Sequence, residues 1–365
     1  MKLVYRYRVK SHLALLDRQA RTVNFVWNYC NDRQRDALRF GRRWLTGFDL
    51  INLTSGSSKE LALHSGTVND VCQQYAKSRA QSLKPYLRYR GRKSLGWVPL
   101  KGRELKREGD AFRFASNTFR VFHSRPLPAG KILDGTNFSR DRPGNWFLNI
   151  VMEVAEPATR LPMRGVGIDL GLKDFATLSN GAKIDTQAYF RKEEGLLAIA
   201  QRARKRLRVR AIHARIANRR KDYLHKATAL IVRDFDYIVA GNINAAALAK
   251  TRLAKSVLDA AWSSFRKQLA YKAVKHGAWF EEVDERFTTQ ICSCCGRLPD
   301  TRPEGIADLG IRAWQCSDCG AVHDRDVNAA LNILRRGRAT LAAGALLAKS
   351  GETPKSFGAG GTTFL

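Results

Sequence analysis

Apolar and polar residues follow strand spacing at the start of the chain and helix spacing soon after it. Over residues 3–9, leucine, tyrosine and valine alternate with basic residues, which predicts a half-buried strand. Apolar residues over 16–30 and again over 68–75 follow helical spacing, which predicts two amphipathic helices. Cys30 and Cys72 lie on these two apolar stripes, so we interpret them as core residues rather than as metal ligands.

The pattern then changes to short alternating segments separated by glycine, proline and asparagine. Segments of this length and regularity predict a small β-barrel. They are 111–115, 118–122 and 145–154. A stretch at 156–164 that contains Pro157 and Pro162 follows them, and it predicts a domain boundary.

Beyond this boundary the pattern predicts further strands and helices. The strands are 165–171, 175–181, 237–242 and 278–285, and the helices are 260–276 and a segment that begins near Val327. In the first of these strands, Val166, Ile168 and Leu170 point to one side, which places Asp169 on the other. A carboxylate inside an apolar strand is costly unless it is paired or binds a metal ion.

The composition narrows the class of partner. The 365 residues include 64 lysines and arginines against 33 acidic residues, a formal net charge of +31. A chain with such an excess repels itself unless a polyanion neutralises it, which favours nucleic acid. No apolar stretch approaches the roughly 20 residues of a membrane-spanning helix, and the first ten residues lack the apolar core of a signal peptide. We therefore predict a cytosolic protein with reduced thiols, no membrane partner, and two or three domains plus a small metal module.

One segment, 84–106, interleaves basic residues with aromatic ones. Aromatic faces stack on bases while lysine and arginine neutralise phosphates, so this texture suits a nucleic-acid groove. The candidate contacts are Tyr86, Arg88, Arg90, Arg92 and Lys93. An alternative interpretation makes Tyr86, Tyr89 and Trp97 core residues of strands whose outer faces are basic.

The most basic run of the chain spans 191–226. Leu207, Ile212 and Ile216 offer too little apolar surface to bury it, so the sequence predicts one long exposed helix that faces phosphates. The alternative is an ordinary solvated helix face. The candidate nucleic-acid contacts are Arg202, Arg206, Arg210, Arg215, Arg219 and Lys221.

Two C-x-x-C pairs predict a metal site. Cys292 pairs with Cys295 and Cys316 with Cys319, and 20 residues separate the pairs. This spacing is diagnostic of structural zinc, because two tight turns supply four thiolates in a closed tetrahedral site. Paired disulfides are the alternative, and Cys294 is the cysteine left over.

The motifs, taken in order, resemble those of the transposon-encoded TnpB nucleases, which look like the ancestors of the type V CRISPR effectors. The matching runs are I-D-L-G-L-K-D-F-A from Ile168, F-T-T-Q-I-C-S-C-C-G from Phe287, and C-S-D-C-G-A-V-H-D-R-D-V-N-A-A from Cys316. The resemblance is dense over 165–334, whereas the N-terminal half is similar only in texture. It implies a cytoplasmic, nucleoid-associated prokaryotic protein that cleaves double-stranded DNA chosen by a guide RNA encoded near the transposon end.

The resemblance also implies a multidomain α+β and α/β fold, in which an RNase H-like RuvC domain is interrupted by a zinc ribbon. The boundaries expected from it are a β-barrel wedge domain at 1–10 and 86–160, a helical recognition domain at 11–85, the RuvC-like domain at 161–290 and 322–336, and the zinc ribbon at 291–321. A disordered tail is expected at 337–365 because that segment shows no clear core pattern.

Phosphodiester hydrolysis with two Mg²⁺ ions needs a cluster of carboxylates. Asp169 and Asp326 match the first and third catalytic acids of the family. The family pattern D-x-N-A-A selects Asp326 over Asp324, which is then interpreted as a helix cap.

The second acid is where this chain departs from the family, because Gly241 stands where a glutamate is usual. Glu285 ends the next predicted strand, and neighbouring strands lie about 4.8 Å apart, so its side chain could reach over Gly241 to complete the magnesium site. A surface position for Glu285 is the alternative. It would favour a guided DNA-binding repressor that does not cut, and a guide-independent basic accessory protein is the third hypothesis. The sequence identifies no protein partner.

Overall fold

The computed structural model describes residues 1–243, 261–304 and 307–349. The chain divides into two compact units, Met1–Ala155 and Glu156–Leu365. None of the described helices is long and apolar enough to cross a membrane.

The first unit contains an antiparallel sheet. Its strands are β1 (Lys2–Val9), β2 (Trp97–Pro99), β3 (Leu105–Glu108), β4 (Ala111–Phe114), β5 (Asn117–Phe122), β6 (Lys131–Ile132), β7 (Asn137–Arg140) and β8 (Trp146–Glu153). The order is β2-β7-β8-β1-β5-β4-β3, with β6 also paired to β8. Alternate residues of β1 and β8 are buried, as their sequence pattern predicts.

Hydrogen bonding does not close this sheet into the predicted barrel. The order ends at β2 and β3, and these two strands do not pair with each other. Both are short, and β2 ends at Pro99, which has no N–H to donate to a further strand. The described strands therefore form an open sheet that covers a large apolar core.

Helices form a second core in the same unit. They are α1 (Leu13–Arg39), α2 (Gly47–Leu53) and α3 (Ser65–Ser82). Val23, Trp27 and Val71 belong to the cluster that they bury. Cys30 and Cys72 are fully buried there with their sulfurs 3.7 Å apart, which confirms that they are core residues.

The second unit is built on a five-stranded mixed sheet. Its strands are β9 (Gly165–Leu170), β10 (Asp174–Leu178), β11 (Lys183–Asp185), β12 (Tyr237–Gly241) and β13 (Trp279–Val283). The order is β11-β10-β9-β12-β13, in which β12 runs parallel to both β9 and β13. The helices of this unit are α4 (Tyr189–Arg202), α5 (Arg206–Asp234), α6 (Trp262–His276) and α7 (Arg325–Lys349).

The sheet is covered on both faces. Val166 and Ile168 of β9 pack with residues of α5 and α6 on one face, whereas Val239 of β12 packs with Ile333 and Leu334 of α7 on the other. Gly167 faces α7, and a Cβ atom there would lie 2.0 Å from the Ala330 carbonyl oxygen. The glycine therefore lets α7 lie directly against β9.

The basic run at 191–226 is not the single exposed helix that was predicted. It belongs to two helices, α4 and α5, separated by a turn in which Arg204 has a positive φ of 51°. Ile212 and Ile216 are buried, because they pack on Leu197 of α4. The local pattern missed this contact because the partner of these isoleucines lies on the other side of the turn.

The expectation of a disordered tail from Gly337 is wrong for 337–349, which continue α7. A Cβ atom at Gly337 would lie 2.5 Å from Cγ2 of Val239, so the glycine marks a close crossing over β12 rather than the end of the helix. Alanine and leucine, both strong helix formers, predominate after it. The rest of the predicted tail, 350–365, lies outside the described residues.

Candidate active site and cysteine cluster

The four cysteines of the two C-x-x-C pairs converge. The sulfurs of Cys292, Cys295, Cys316 and Cys319 all lie within 4.8 Å of one another. Each pair sits in the same type of turn. Gly296 and Gly320 have positive φ angles of 78° and 74°, and their N–H groups donate to the carbonyls of Cys292 and Cys316, each at 2.9 Å.

The cysteine cluster fits a zinc ion. The Cys292–Cys319 and Cys295–Cys316 sulfurs are 3.7 and 3.8 Å apart. A tetrahedron with Zn–S bonds of about 2.3 Å has edges of about 3.8 Å, whereas bonded disulfide sulfurs lie about 2.05 Å apart. The four thiols are therefore unpaired and spaced for a closed structural site, and Cys294 is exposed outside it.

His323 lies beside this cluster, on the two-stranded antiparallel sheet formed by β14 (Ala313–Gln315) and β15 (Val322–Asp324). Its Nε2 atom lies 3.1 Å from the sulfur of Cys292, and its ring packs on Trp314 at 4.8 Å. Sequence reasoning did not single out His323 as part of the metal site. Its place three residues before Asp326 links the cysteine cluster directly to the start of α7.

Asp169 lies near the end of β9, on the face covered by α7. Burial, followed by the negative charges of Asp326 and Glu285, raises the pKa of Asp169 well above its ordinary value, while Arg325 opposes the shift. The three predicted acids are therefore close enough to interact electrostatically. A half-buried group of like charges is unstable by itself and fits a site for a divalent cation.

Glu285 reaches over Gly241. A Cβ atom built on Gly241 would lie 2.8 Å from Oε2 and 3.3 Å from the Cβ of Glu285. In the register of the sheet, Gly241 follows the residue that pairs with Ile168, so it lies beside Asp169. The carboxylate of Glu285 thus occupies the place where a side chain at position 241 would project.

Burial also raises the pKa of Glu285, with Arg266 of α6 acting in the opposite direction. Arg266 donates to the carbonyl of Gly241 at 3.4 Å and forms an ion pair with Glu282 at 3.1 Å. Arg266 thus lies close to both Glu282 and Glu285. Arg266 is a second residue of this site that sequence reasoning missed.

Asp324 and Asp326 have different positions at the start of α7. One carboxylate oxygen of Asp324 accepts hydrogen bonds from the backbone N–H groups of Asp326 and Val327, both at 3.0 Å. The other oxygen accepts a hydrogen bond from the Lys183 ammonium group at 2.9 Å. Asp324 is therefore the helix cap, as expected. Asp326 instead accepts a hydrogen bond from Arg312 of the ribbon at 3.1 Å. Its negative charge contributes to the raised pKa of Asp169.

The carboxylate oxygens of the three acids lie farther apart than the sulfurs of the four cysteines. Over residues 1–243, 261–304 and 307–349, the cysteine quartet alone brings three or more metal-ligating side chains within 4.8 Å of one another. The acids meet from three elements: β9, the segment after β13, and α7.

The aromatic and basic segment crosses α1 in an ordered conformation. Asn28 exchanges two hydrogen bonds with the backbone of Arg90, both at 2.8 Å. The side chain of Arg90 lies over Trp27 and Trp97 and donates to Asn24 at 2.7 Å. Arg90 is half-buried in this packing, and its role as a nucleic-acid contact stays a prediction.

The other candidates of this segment lie on the surface. Tyr86 and Tyr89 are exposed, so they are not the core residues of the alternative interpretation, although Trp97 is half-buried. The guanidinium of Arg35 lies 4.5 and 5.5 Å from the centres of the two tyrosine rings. Arg88, Arg92 and Lys93 are exposed beside them.

The candidates on α4 and α5 form a basic surface of the second unit. Arg215 and Arg219 approach the carboxylate of Glu193 at 3.6 and 3.2 Å, which anchors α5 to α4. This ion pairing gives both arginines a structural position. The remaining candidates, Arg202, Arg206, Arg210 and Lys221, are exposed.

Two family models match this chain, mainly within the second unit. Residues 149–252 match the family OrfB_IS605, described as "Probable transposase", and residues 262–333 match "Cas12f1-like, TNB domain". A Streptomyces pristinaespiralis protein named "Putative RNA-guided DNA endonuclease" is 39% identical over 60% of this chain and 57% of its own length.

Two further relatives have names of the same kind. "Putative RNA-guided DNA endonuclease InsQ" of Escherichia coli is 30% identical over 56% of this chain and 57% of its own length. "TnpB-like protein L79" of Acanthamoeba polyphaga mimivirus is 29% identical over 47% of this chain and 37% of its own length. This chain thus covers little more than half of the length of the first two relatives and less of the third.

Proposed function

We propose that the chain is an RNA-guided DNA endonuclease of the TnpB family, which its family matches and its relatives support. The observation that supports nuclease activity is the position of the Glu285 carboxylate, which lies over Gly241 and beside Asp169. This arrangement supplies the second acid that the sequence lacks at position 241.

The fold proposed for the nuclease is the RNase H-like RuvC fold, interrupted at 291–321 by the zinc ribbon. Its support is the mixed sheet in which three antiparallel strands are followed by two parallel ones. The cysteine quartet lies between β13 and α7 in the chain, so zinc would hold the ribbon beside two of the acids.

In the proposed mechanism, Asp169, Glu285 and Asp326 would hold two Mg²⁺ ions, which would activate water and stabilise the leaving oxygen of a phosphodiester. Asp169 must give up its proton for this, because its raised pKa favours the neutral form in the absence of a cation. Burial raises the pKa of Glu285 as well, while the charge of Arg266 favours its charged form. Asp326 is held by Arg312 at 3.1 Å and would have to turn from this contact to bind a cation.

The proposed partners are a guide RNA encoded near the transposon end and the double-stranded DNA that it selects. Support comes from the net charge of +31 and from two exposed basic surfaces, the Tyr86–Lys93 segment and the α4–α5 pair. Phosphate contacts position a nucleic acid without reading its sequence, so target choice is assigned to base pairing with the guide.

A second candidate function is a guided DNA-binding protein that does not cut, and Gly241 favours it. Sequencing the RNA that copurifies with the protein, and then assaying cleavage of DNA matched to that RNA, tests the proposal. Cleavage that requires matching RNA and Mg²⁺ is expected. Guided binding without cleavage would select the non-cutting alternative, and a lack of specific RNA would exclude both.

We expect RNA binding to weaken steeply with salt, because the basic surfaces release counterions when they bind phosphates. For six to ten phosphate contacts, affinity should fall by about a thousandfold or more between roughly 50 and 200 mM salt. Arg206→Gln should lower the log–log slope by about 0.7. Arg302→Gln is the control, because Arg302 pairs with Glu304 at 2.6 Å on the ribbon. Affinity that does not change with salt would contradict the role of these surfaces.

We also expect Gly241→Glu to reduce cleavage. A Cβ atom at this position meets Oε2 of Glu285 at 2.8 Å and Cδ1 of Ile333 at 3.3 Å, and a second carboxylate there adds repulsion. Gly241→Ala separates crowding from charge and should reduce cleavage less. Single-turnover rates measure both effects. A Gly241→Glu variant that cuts faster than the natural protein would contradict the proposal that Glu285 already provides the second acid.

A further inference from the structure

One face of α7 binds the backbone of the segment that runs from Asp284 to Ser293. Arg336 donates to the carbonyls of Asp284 and Arg286, the latter at 2.7 Å, and Arg335 donates to the carbonyl of Ser293. This segment carries Glu285 at its beginning and the first zinc-ligand candidate, Cys292, near its end. The position of both groups therefore depends on α7.

Two asparagines one helical turn apart hold the middle of the segment. Asn332 donates to the carbonyl oxygens of Thr288 and Ile291 at 2.9 and 2.6 Å. Asn328 donates to the same two oxygens at 3.2 and 2.8 Å, and it also accepts the N–H of Ser293 at 2.8 Å. Both side chains are almost completely buried, at 1% and 3% exposure.

The asparagines connect to Glu285 through Thr288. The hydroxyl of Thr288 donates to the carbonyl of Glu285 at 2.8 Å, and its N–H donates there at 3.2 Å. Between them, Phe287 has a positive φ of 61°, a conformation that is unfavourable for a phenylalanine and that the surrounding hydrogen bonds must maintain. The turn is thus held in one shape from both ends.

The same helix carries Asp326 in its first turn, two residues before Asn328. One rigid element therefore presents an acid directly and fixes the backbone from which the second acid projects. We propose that Asn328 and Asn332 are positioning residues that set the separation of Glu285 from Asp326 and so determine how tightly the acids bind divalent cations. This inference rests on the proposed function.

The arrangement gives the asparagine side chain a role that neither aspartate nor an apolar residue can fill. Only the amide offers N–H donors to two carbonyl oxygens at once while remaining uncharged in a buried site. In Asn332→Asp the side chain keeps its size but turns acceptors toward the carbonyls of Thr288 and Ile291. Asn332→Ala removes the donors without adding a charge and is the milder variant.

The test measures binding of Mn²⁺ to the zinc-loaded, RNA-bound protein, by electron paramagnetic resonance of the free ion. Asp169→Ala identifies the Mn²⁺ that binds at the acids. We expect Asn332→Ala to weaken this binding by roughly 10- to 100-fold, the range typical of groups that orient metal ligands, and Asn332→Asp to weaken it further. Zinc content should stay at about one ion per chain.

Leu334→Ala is the matched control. Leu334 lies on the same helix and is buried against β12, but it makes no hydrogen bond to the segment. It should lower thermal stability as much as Asn332→Ala does and leave Mn²⁺ binding unchanged. Equal loss of Mn²⁺ affinity in both variants would reduce the asparagines to general stabilisers and overturn the inference, as would unchanged affinity in Asn332→Ala.

Two failures can be told apart. If the natural protein binds Mn²⁺ through Asp169 but does not cut guided DNA, the nuclease proposal fails and the positioning inference is still decided by the variants. If no Mn²⁺ binding depends on Asp169, both fail.

Discussion

Replacing Glu285 with alanine will abolish guided cleavage as completely as replacing Asp169, while guided DNA binding persists. The side chain of Glu285 lies over Gly241 and contributes to the raised pKa of Asp169, so both carboxylates belong to one charged cluster. Removal of either would take one ligand away from the proposed magnesium site. We therefore expect the cleavage rate to fall by a factor on the order of 10²–10³ or more. Binding should persist because base pairing and phosphate contacts do not use these acids.

Glu282→Ala is the matched control for Glu285→Ala. Glu282 lies three residues earlier, pairs with Arg266 at 3.1 Å and is largely exposed, so its removal should change cleavage little. Single-turnover cleavage and filter binding of the same matched DNA measure the two activities separately. Cleavage that survives Glu285→Ala would refute the assignment. Asp284 would then be the next acid to examine, and Glu281, which accepts the hydroxyl of Tyr237 at 2.9 Å, would follow.

Replacing Cys316 with serine will remove the zinc ion and unfold the ribbon at 291–321. Cys316 is buried among the other three cysteines, and this ribbon has only a small apolar cluster of Cys292, Trp314 and Cys316 to stabilise it. Structural zinc contributes about 10–16 kcal/mol in zinc-finger peptides, so loss of one ligand should cost several kcal/mol. Because Arg312 of the ribbon contacts Asp326 and α7 contacts the segment before Cys292, cleavage should be lost as well.

Cys294→Ser is the control for Cys316→Ser, since Cys294 is exposed and lies outside the quartet. Metal analysis should find about one zinc ion per chain in the natural protein and in Cys294→Ser, and much less in Cys316→Ser. Thermal unfolding of the two variants and the natural protein measures how much stability is lost with zinc. Folded natural protein without zinc, or a Cys316→Ser variant that keeps its zinc, would contradict the assignment of this site.

The elements with a strong local pattern were predictable from the sequence. The alternation at 3–9, the helical spacing at 16–30 and the apolar runs before Asp169 and at 237–242 all lie in elements of the expected type. The cysteine quartet was predictable for a related reason: each C-x-x-C turn places its two thiols by local geometry, so spacing in the chain largely determines the ligand set.

Contacts between segments far apart in the chain were decided only by the tertiary structure. The sequence showed that position 241 lacks an acid and left two positions open for Glu285, over that glycine or on the surface. The packing of β13 beside β12 favours the first of them. In the same way, α4 buries the isoleucines of α5, and two tryptophans pack against the side chain of Arg90.

The physical reason is the range over which each interaction acts. Strand and helix spacing, turns and C-x-x-C pairs depend on residues within a few positions of one another, so the sequence by itself determines them. The acid cluster depends on three segments meeting in the folded chain, with Asp169 on β9, Glu285 after β13 and Asp326 on α7. Its geometry follows from the sheet register and from the way α7 holds the segment between Asp284 and Ser293, and only the tertiary structure contains both.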